Sequence, residues 1–461
     1  MKLKSKGIKL ILLIIFIISI FTGCNVGNDA DAKDSSQGKT TVISENVSLD
    51  TRSEDSNLQV KEIDTIKITE NVKTEDFKGS SDKEIFFNKN NALYGKNLET
   101  NKTRKIVDMK GFEVSEDGKR ILLFKDKEVY VYDVMTNKMI PIEQDRGGYP
   151  SDDIRFMDHK GNYLAYTGDK DNEWKFGTFT IFDVNKKQYI YIDINDFIEK
   201  HNNNLIDAEL QRNIENKLGQ GSRKNRRYGT FQSILDKYND SKSSFQAKSS
   251  VAIAKDEKTG ETFDLVKGYS IKKIFNDKLY IDLSIGGKGG IYEVDFQGNM
   301  KEVLVTEDTN KNFISQIDFL DNNKLLYSGE YQGNSGIFVY DISNKNITKL
   351  IAGIKTEEGN SIPSYKLSPS KDKILIETLN KQYNNEYSTK IYAAEIIDGN
   401  LISPIKVLDN SKEESYSILE VVSHWTENSN KAMIYRTRQE KNGEETVNYL
   451  DKIRTFKFTK K

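Results

Sequence analysis

From about residue 77 onward, the hydrophobic positions fall in short runs separated by turns rich in Asp, Asn, Ser and Gly. The runs are four to eight residues long and rich in Val, Ile, Tyr and Phe. Those lengths and side chains predict β-strands. One order recurs: a short apolar strand, a polar turn ending in or near Lys, and a strongly apolar strand. An aromatic-rich strand ending in Asp or Glu follows, then a second polar turn and a last strand. The clearest copy is FEVSEDGKRILLFKDKEVYVYDVMTNKMIPIE at 112–143. Further copies begin near 154, 272, 317, 365 and 421, and a weaker one near 77. Gly118 and Gly161 supply turn positions that tolerate a positive φ. In VYVYDV (129–134) and IFVYDI (337–342) the apolar residues are nearly continuous, the pattern of strands covered on both faces.

Lys83, Lys119, Asn162, Lys278, Lys324, Lys373 and Lys431 occupy equivalent turn positions, spaced by 36, 43, 116, 46, 49 and 58 residues. A period of roughly 40–50 residues with four strands in each unit predicts an all-β β-propeller. Units of this kind bury their faces only by stacking on each other. Seven turn positions give seven blades. The 116-residue interval holds a hairpin, VAIAKDEKTGETFDLV (251–266), that reads as the outer half of a degraded eighth blade, so the spacings allow six to eight. Residues 58–69, LQVKEIDTIKIT, are a candidate strand for closing the ring. A β-sandwich with irregular strands is the competing architecture.

Glu116-Asp117-Gly118-Lys119, Ser368-Pro369-Ser370-Lys371 and Val339-Tyr340-Asp341 give the pattern a family likeness. It resembles the TolB-like extracytoplasmic β-propellers, in which S-P-D-G-K precedes the second strand and a strand ending in Asp closes the third. The resemblance covers about residues 77–460. It implies the fold but no particular activity, because such folds scaffold many functions.

The N-terminus has a different character. Residues 1–9 carry Lys2, Lys4, Lys6 and Lys9, and LILLIIFIISIF follows at 10–21. A basic stretch before a short apolar one is the pattern of a secretory signal. At 12 residues the apolar run is short for a spanning helix, which needs about 20. Phe21-Thr22-Gly23-Cys24 places the only cysteine of the chain where such a signal is cut. This resembles the lipobox of bacterial lipoproteins, with Phe21 where that family prefers Leu, Val or Ile. The resemblance implies a signal peptide over 1–23, acylation (palmitate) of Cys24 and attachment to the outer side of the cytoplasmic membrane. Residues 24–57 contain almost no apolar positions and read as a disordered tether. Residues 58–461 form the propeller domain.

The stretch 196–250 interrupts the β pattern. Leu205, Leu210, Ile214 and Leu218 fall near helical spacing, and Phe231, Ile234, Leu235 and Tyr238 suit a second short helix. Between them lie Arg223, Lys224, Arg226 and Arg227. Those four cations are candidate partner-binding residues for an anionic polymer, head group or protein; the competing reading is a solvated basic loop between two capping helices. Long insertions in such folds emerge on one face, where function concentrates.

Composition narrows the function classes. The chain has 461 residues, 69 Lys plus Arg against 70 Asp plus Glu, one Cys and three His. One cysteine excludes an intramolecular disulfide framework and Cys-based zinc. The balanced charge, and a basic run without interleaved aromatics, give no case for nucleic acid. Loss of residues 1–23 would shift the net charge from −1 to −5, which leaves lipid rather than surface charge to hold the protein at a membrane. There is no G-x-S-x-G, and Gly286-Gly287-Lys288-Gly289-Gly290 reads as a hairpin turn rather than a phosphate loop. Asp29, Asp31 and Asp34, and the loop with Asp169, Asp171, Glu173 and Trp174, lack the distal Glu of a calcium loop. His424-Trp425 opens one blade, with Trp425 read as core. No catalytic residue, metal or cofactor is assigned. The expected role is non-catalytic binding or scaffolding of an envelope protein or polymer. The alternatives are a lyase or hydrolase of envelope glycan and a ligand sensor serving a membrane kinase or transporter.

Overall fold

In a computed structural model, the chain is described over residues 42–44 and 58–461, apart from 126–127, 143–153, 168–176, 199–250, 256–261, 286–287, 307–312, 357–358, 382–386, 411–419 and 443–444. Apart from a two-stranded hairpin and the short parallel strand Val42–Ser44, the described strands assemble into seven antiparallel sheets, the blades of a β-propeller. Blade 1 comprises Phe77–Ser80, Glu84–Lys89, Ala92–Asn97 and Thr103–Val107. Blade 2 comprises Lys110–Val114, Arg120–Lys125, Glu128–Asp133 and Lys138–Ile142. Blade 3 has Arg155–Phe156, Tyr163–Thr167, Thr178–Asp183 and Gln188–Asp193. Blade 4 has Thr262–Phe275, Lys278–Ile285, Lys288–Asp295 and Met300–Thr306. Blade 5 is built from Phe313–Phe319, Lys324–Tyr331, Asn334–Asp341 and Asn346–Ala352, and blade 6 from Ser364–Leu367, Lys373–Lys381, Tyr387–Ile397 and Asn400–Asp409. Blade 7 takes Glu420–Trp425, Lys431–Asn442 and Glu445–Lys460 from the end of the chain and Leu58–Lys67 from its beginning. We call the strands of each blade a to d in that order. The a strands of adjacent blades approach one another, which makes them the inner ring around the axis.

The seven equivalent turn positions each fall at the start of strand b or on the residue just before it. The 251–266 hairpin does not begin an eighth blade. Val251–Lys255 pairs with the first half of Thr262–Phe275, and that strand runs on without interruption to become strand a of blade 4. The hairpin therefore extends the inner edge of an existing sheet. Of the 196–250 insertion, only 196–198, within a helical turn at 195–198, fall among the described residues.

Seven hydrophobic clusters fill the spaces between neighbouring blades, one cluster to each space. Strand alternation explains the continuous apolar runs. In blade 2, Ile121 and Leu123 face blade 1 while Leu122 faces blade 3. In blade 5, Leu325 and Tyr327 face blade 4 while Leu326 faces blade 6. A sheet buried on both sides needs apolar residues at both parities of its middle strands. Each fully buried Leu or Ile contributes about 1.5–3 kcal/mol.

The Asp that ends strand c has a local task. The side chains of Asp133, Asp183, Asp295 and Asp341 accept hydrogen bonds from backbone N–H groups two to four residues on, at 2.8–3.2 Å. Each turn then passes through a left-handed residue: Asn137, Lys187, Gly298 or Lys345. The Asp side chain organises the turn by mimicking a backbone acceptor.

Leu58–Lys67 pairs antiparallel with Glu445–Lys460, from Leu58 opposite Lys460 to Lys67 opposite Lys452. Leu58 is buried with Trp425, Phe456 and Phe458 in the cluster between blades 6 and 7. Arg454 pairs with Glu62 of that strand at 2.6 Å and with buried Glu420 at 2.9 Å. Farther on, Glu70 accepts a hydrogen bond from Lys96 of blade 1 at 2.5 Å, where the Lys96 side chain is only 2% exposed. Leu58–Lys67 and the segment after it thus join blade 7 to blade 1.

Candidate functional site

The two faces of the ring are built differently. Strand a of every blade runs in the same sense, so the a–b and c–d turns share one face, here called lower, and the b–c and d–a connections share the other. Lower-face turns are tight: 81–83, 115–119 and 276–277 link a to b in blades 1, 2 and 4. The upper face receives the long connections. They include the small hairpin Ile354–Thr356 with Gly359–Ser361 and the connection between blades 3 and 4, of which 194–198 and Val251–Lys255 are described. Strands b and c are also longer on one side of the ring, with 6 and 6 residues in blade 1 but 12 and 16 in blade 7. Phe313, at the upper start of strand a in blade 5, is 56% exposed, and Leu379, at the upper end of strand b in blade 6, is 43% exposed.

At the lower end of the axis, charged side chains of several blades meet. Glu116 from the a–b turn of blade 2 accepts a hydrogen bond from His159 of blade 3 at 3.1 Å and lies 3.6 Å from Lys273 Nζ of blade 4. Lys273 also pairs with Asp318 of blade 5. His424 of blade 7 has its Nε2 2.7 Å from Asp82 Oδ1 of blade 1 and its Nδ1 3.2 Å from the Glu116 carbonyl. Lys119 of blade 2 reaches Glu427 of blade 7 at 2.7 Å. Blades 2 and 4, or 2 and 7, are not neighbours, and their side chains meet only because they converge on the axis. The Glu116 side chain remains 47% exposed.

Electrostatics follow this geometry. The Lys273 ammonium holds the Glu116 carboxyl well below the usual carboxylate range, against an opposing effect of burial and with help from His159. Burial works against the charge of Lys273, but Asp318 and Glu116 outweigh it and raise its pKa. Two further carboxylates lie deeper. Burial pushes Glu113 up, opposed by the Phe156 N–H that it accepts at 2.9 Å. Burial pushes Glu377 up as well; it accepts from Val422 N and from Ser364 Oγ. Lys366 of blade 6 acts at a distance on Glu113, Glu116, Asp318 and Glu377. Each axial carboxylate is therefore already engaged by a cation or a hydrogen-bond donor of the protein.

Cys24, Arg223, Lys224, Arg226 and Arg227 lie outside the described residues, as do Asp29, Asp31, Asp34 and the 169–174 loop. Of the Gly286–Gly290 run, Gly286 and Gly287 lie outside the described residues, and Lys288, Gly289 and Gly290 begin strand c of blade 4. Trp425 is buried against Phe458, with ring centres 4.8 Å apart. The axial charges were not singled out from the sequence. Glu113, Lys273, Asp318, Lys366 and His424 are polar positions within the a strands, which carry other polar residues as well, such as Lys110, Lys272 and Gln316. Among the described residues, no three His, Cys, Asp or Glu are grouped to hold a metal ion, and no helix is long and apolar enough to cross a membrane.

No family model and no curated protein sequence matches the chain. Among solved structures it is similar to a chain of the mitotic checkpoint complex, with TM-score 0.38 and 10% identity over 93% of this chain and 99% of that one. It is also similar to oligogalacturonate lyase from Vibrio parahaemolyticus, with TM-score 0.38 and 11% identity over 85% of this chain and 97% of that one. Dipeptidyl peptidase 4 from Porphyromonas gingivalis gives TM-score 0.34 and 8% identity over 78% of this chain and 55% of that one. The class of this protein, a seven-bladed β-propeller, rests on its own sheet topology.

Proposed function

We propose that the protein is a lipid-anchored, extracytoplasmic β-propeller, distantly related to TolB-like propellers, that binds or scaffolds an envelope partner without catalysis. The observation that carries this reading is the division of labour between its faces. Long connections gather on the upper face, while the axial carboxylates are engaged by the protein's own donors and cations. Extended loops on a rigid ring suit recognition. Carboxylates held in this way are poorly placed to act as a free acid and base pair. Cys24 supplies the anchor in this reading, and the cations at 223–227 contribute to partner capture.

Crosslinking in intact cells, followed by identification of the captured molecules, tests the binding role. Deletion of 198–248 is expected to abolish capture while the ring stays folded; unchanged capture would remove the insertion from the role. Cys24→Ala is expected to move the protein from the membrane to the soluble fraction and to abolish incorporation of a palmitate analogue. Retention of both would refute the anchor.

A further inference from the structure

Two strands fix the direction from which the N-terminal chain reaches the ring. Leu58 lies opposite Lys460, at the lower end of blade 7, and Leu58–Lys67 runs from there toward the upper face. Val42–Ser44 adds in parallel to the outer edge of blade 5, with Val42 opposite Ile347 and Ser44 opposite Lys349. Asn346–Ala352 is a d strand and starts at the lower face, so a parallel neighbour also ascends from below. The chain therefore enters both strands from the same side, although they sit on rims two blades apart.

From this we infer that the lower face, with its short turns, is the membrane-facing side of the protein, and that the upper face points away from the bilayer. The inference rests on the anchor reading above and adds the orientation. If Cys24 is the lipid-bearing residue, 17 residues separate it from Val42. Val42 pairs near the lower start of Asn346–Ala352, so the chain is tied to the ring on its lower side 16 residues earlier than at Leu58. Surface charge does not set the orientation: Lys83, Lys119, Lys187 and Lys371 of the lower turns are interspersed with Asp82, Asp117, Asp277 and Asp372. A side without a dominant sign neither seeks nor avoids anionic lipid, and attachment geometry is left to decide.

Energy transfer from the full-length lipidated protein to acceptor-labelled lipids in phosphatidylglycerol–phosphatidylethanolamine vesicles tests the inference. Asn344→Cys places a donor dye on the lower turn of blade 5, and Asn334→Cys places one on the upper turn of the same blade. Both positions are exposed and share one blade, so they differ mainly in face. Higher transfer from position 344 is expected. Ile43→Pro, which weakens the added strand, should reduce the difference. Equal transfer, or higher transfer from 334, in protein that floats with the vesicles would overturn the orientation and leave the anchor standing. Failure of the unlabelled wild-type protein to float would overturn both.

Discussion

Lys273 is the residue on which the axial charges balance, since it faces Asp318 and Glu116 together and is 13% exposed. Lys273→Met should cost roughly 3–5 kcal/mol, because removing one member of an enclosed ion pair strands the other. Chemical denaturation at neutral pH would measure the loss. Glu116 and Glu377 should respond to acid in opposite senses. The carboxyl of Glu116 is held below its ordinary value of 4.5, so its contribution is present above that pH and is lost as pH falls through the depressed value. Glu116→Gln should therefore lower the thermal midpoint at pH 7, and the gap should narrow in strong acid. Glu377 is pushed above 4.5, so its contribution is complete below that pH and is lost as pH rises through the raised value. Glu377→Gln should be at least as stable as wild type at pH 7, with the difference vanishing below about pH 4.5. Thermal scans across pH 3–8 would separate the two. A charge inside an apolar strand is visible in a sequence, but which charges share an axis is not. Glu116 and Lys273 are 157 residues apart, and only closure of the ring brings them together.

Among the elements, the strands were legible and their partners partly so. The recurrent Lys or Asn turn marked strand b in all seven blades, and the terminal Asp marked strand c in several. The 251–266 hairpin misled because a strand that continues through Gly268 into the next blade has the same local pattern as one that stops. Gly336 shows how tightly strands c and d approach. Its φ is +157° and an added Cβ would lie 2.0 Å from the Ile351 carbonyl oxygen; Gly290 repeats the arrangement in blade 4, 1.9 Å from that of Leu304. Gly336→Ala should destabilise by about 1–3 kcal/mol, the usual cost of a strained backbone position, measurable as a shift in denaturant midpoint. Leu58–Lys67 makes a sharper test. A chain beginning at residue 58 should fold like the longer chain. One beginning at residue 70 lacks Leu58–Lys67, exposes the edge of Glu445–Lys460 and uncovers part of the cluster around Trp425. It should be recovered as aggregate or lose its cooperative thermal transition, as followed by circular dichroism.

For the molecule as a whole, the period of the repeats was enough to indicate a ring, because blades of this composition have no stable way to leave either side uncovered. What the period could not supply was the inequality of the two sides. That inequality comes from where extra residues are inserted and from the register of the first strands. The mixed origin of blade 7 has a consequence for synthesis. Leu58–Lys67 leaves the ribosome almost four hundred residues before Glu445–Lys460, the segment it must pair with. Until then that strand waits without a partner, and bringing such distant segments together is entropically costly and slow. Synthesis of Glu445–Lys460 is thus the event that permits the ring to close, and a nascent polypeptide that still lacks it is the form most exposed to proteases and to association with its own kind.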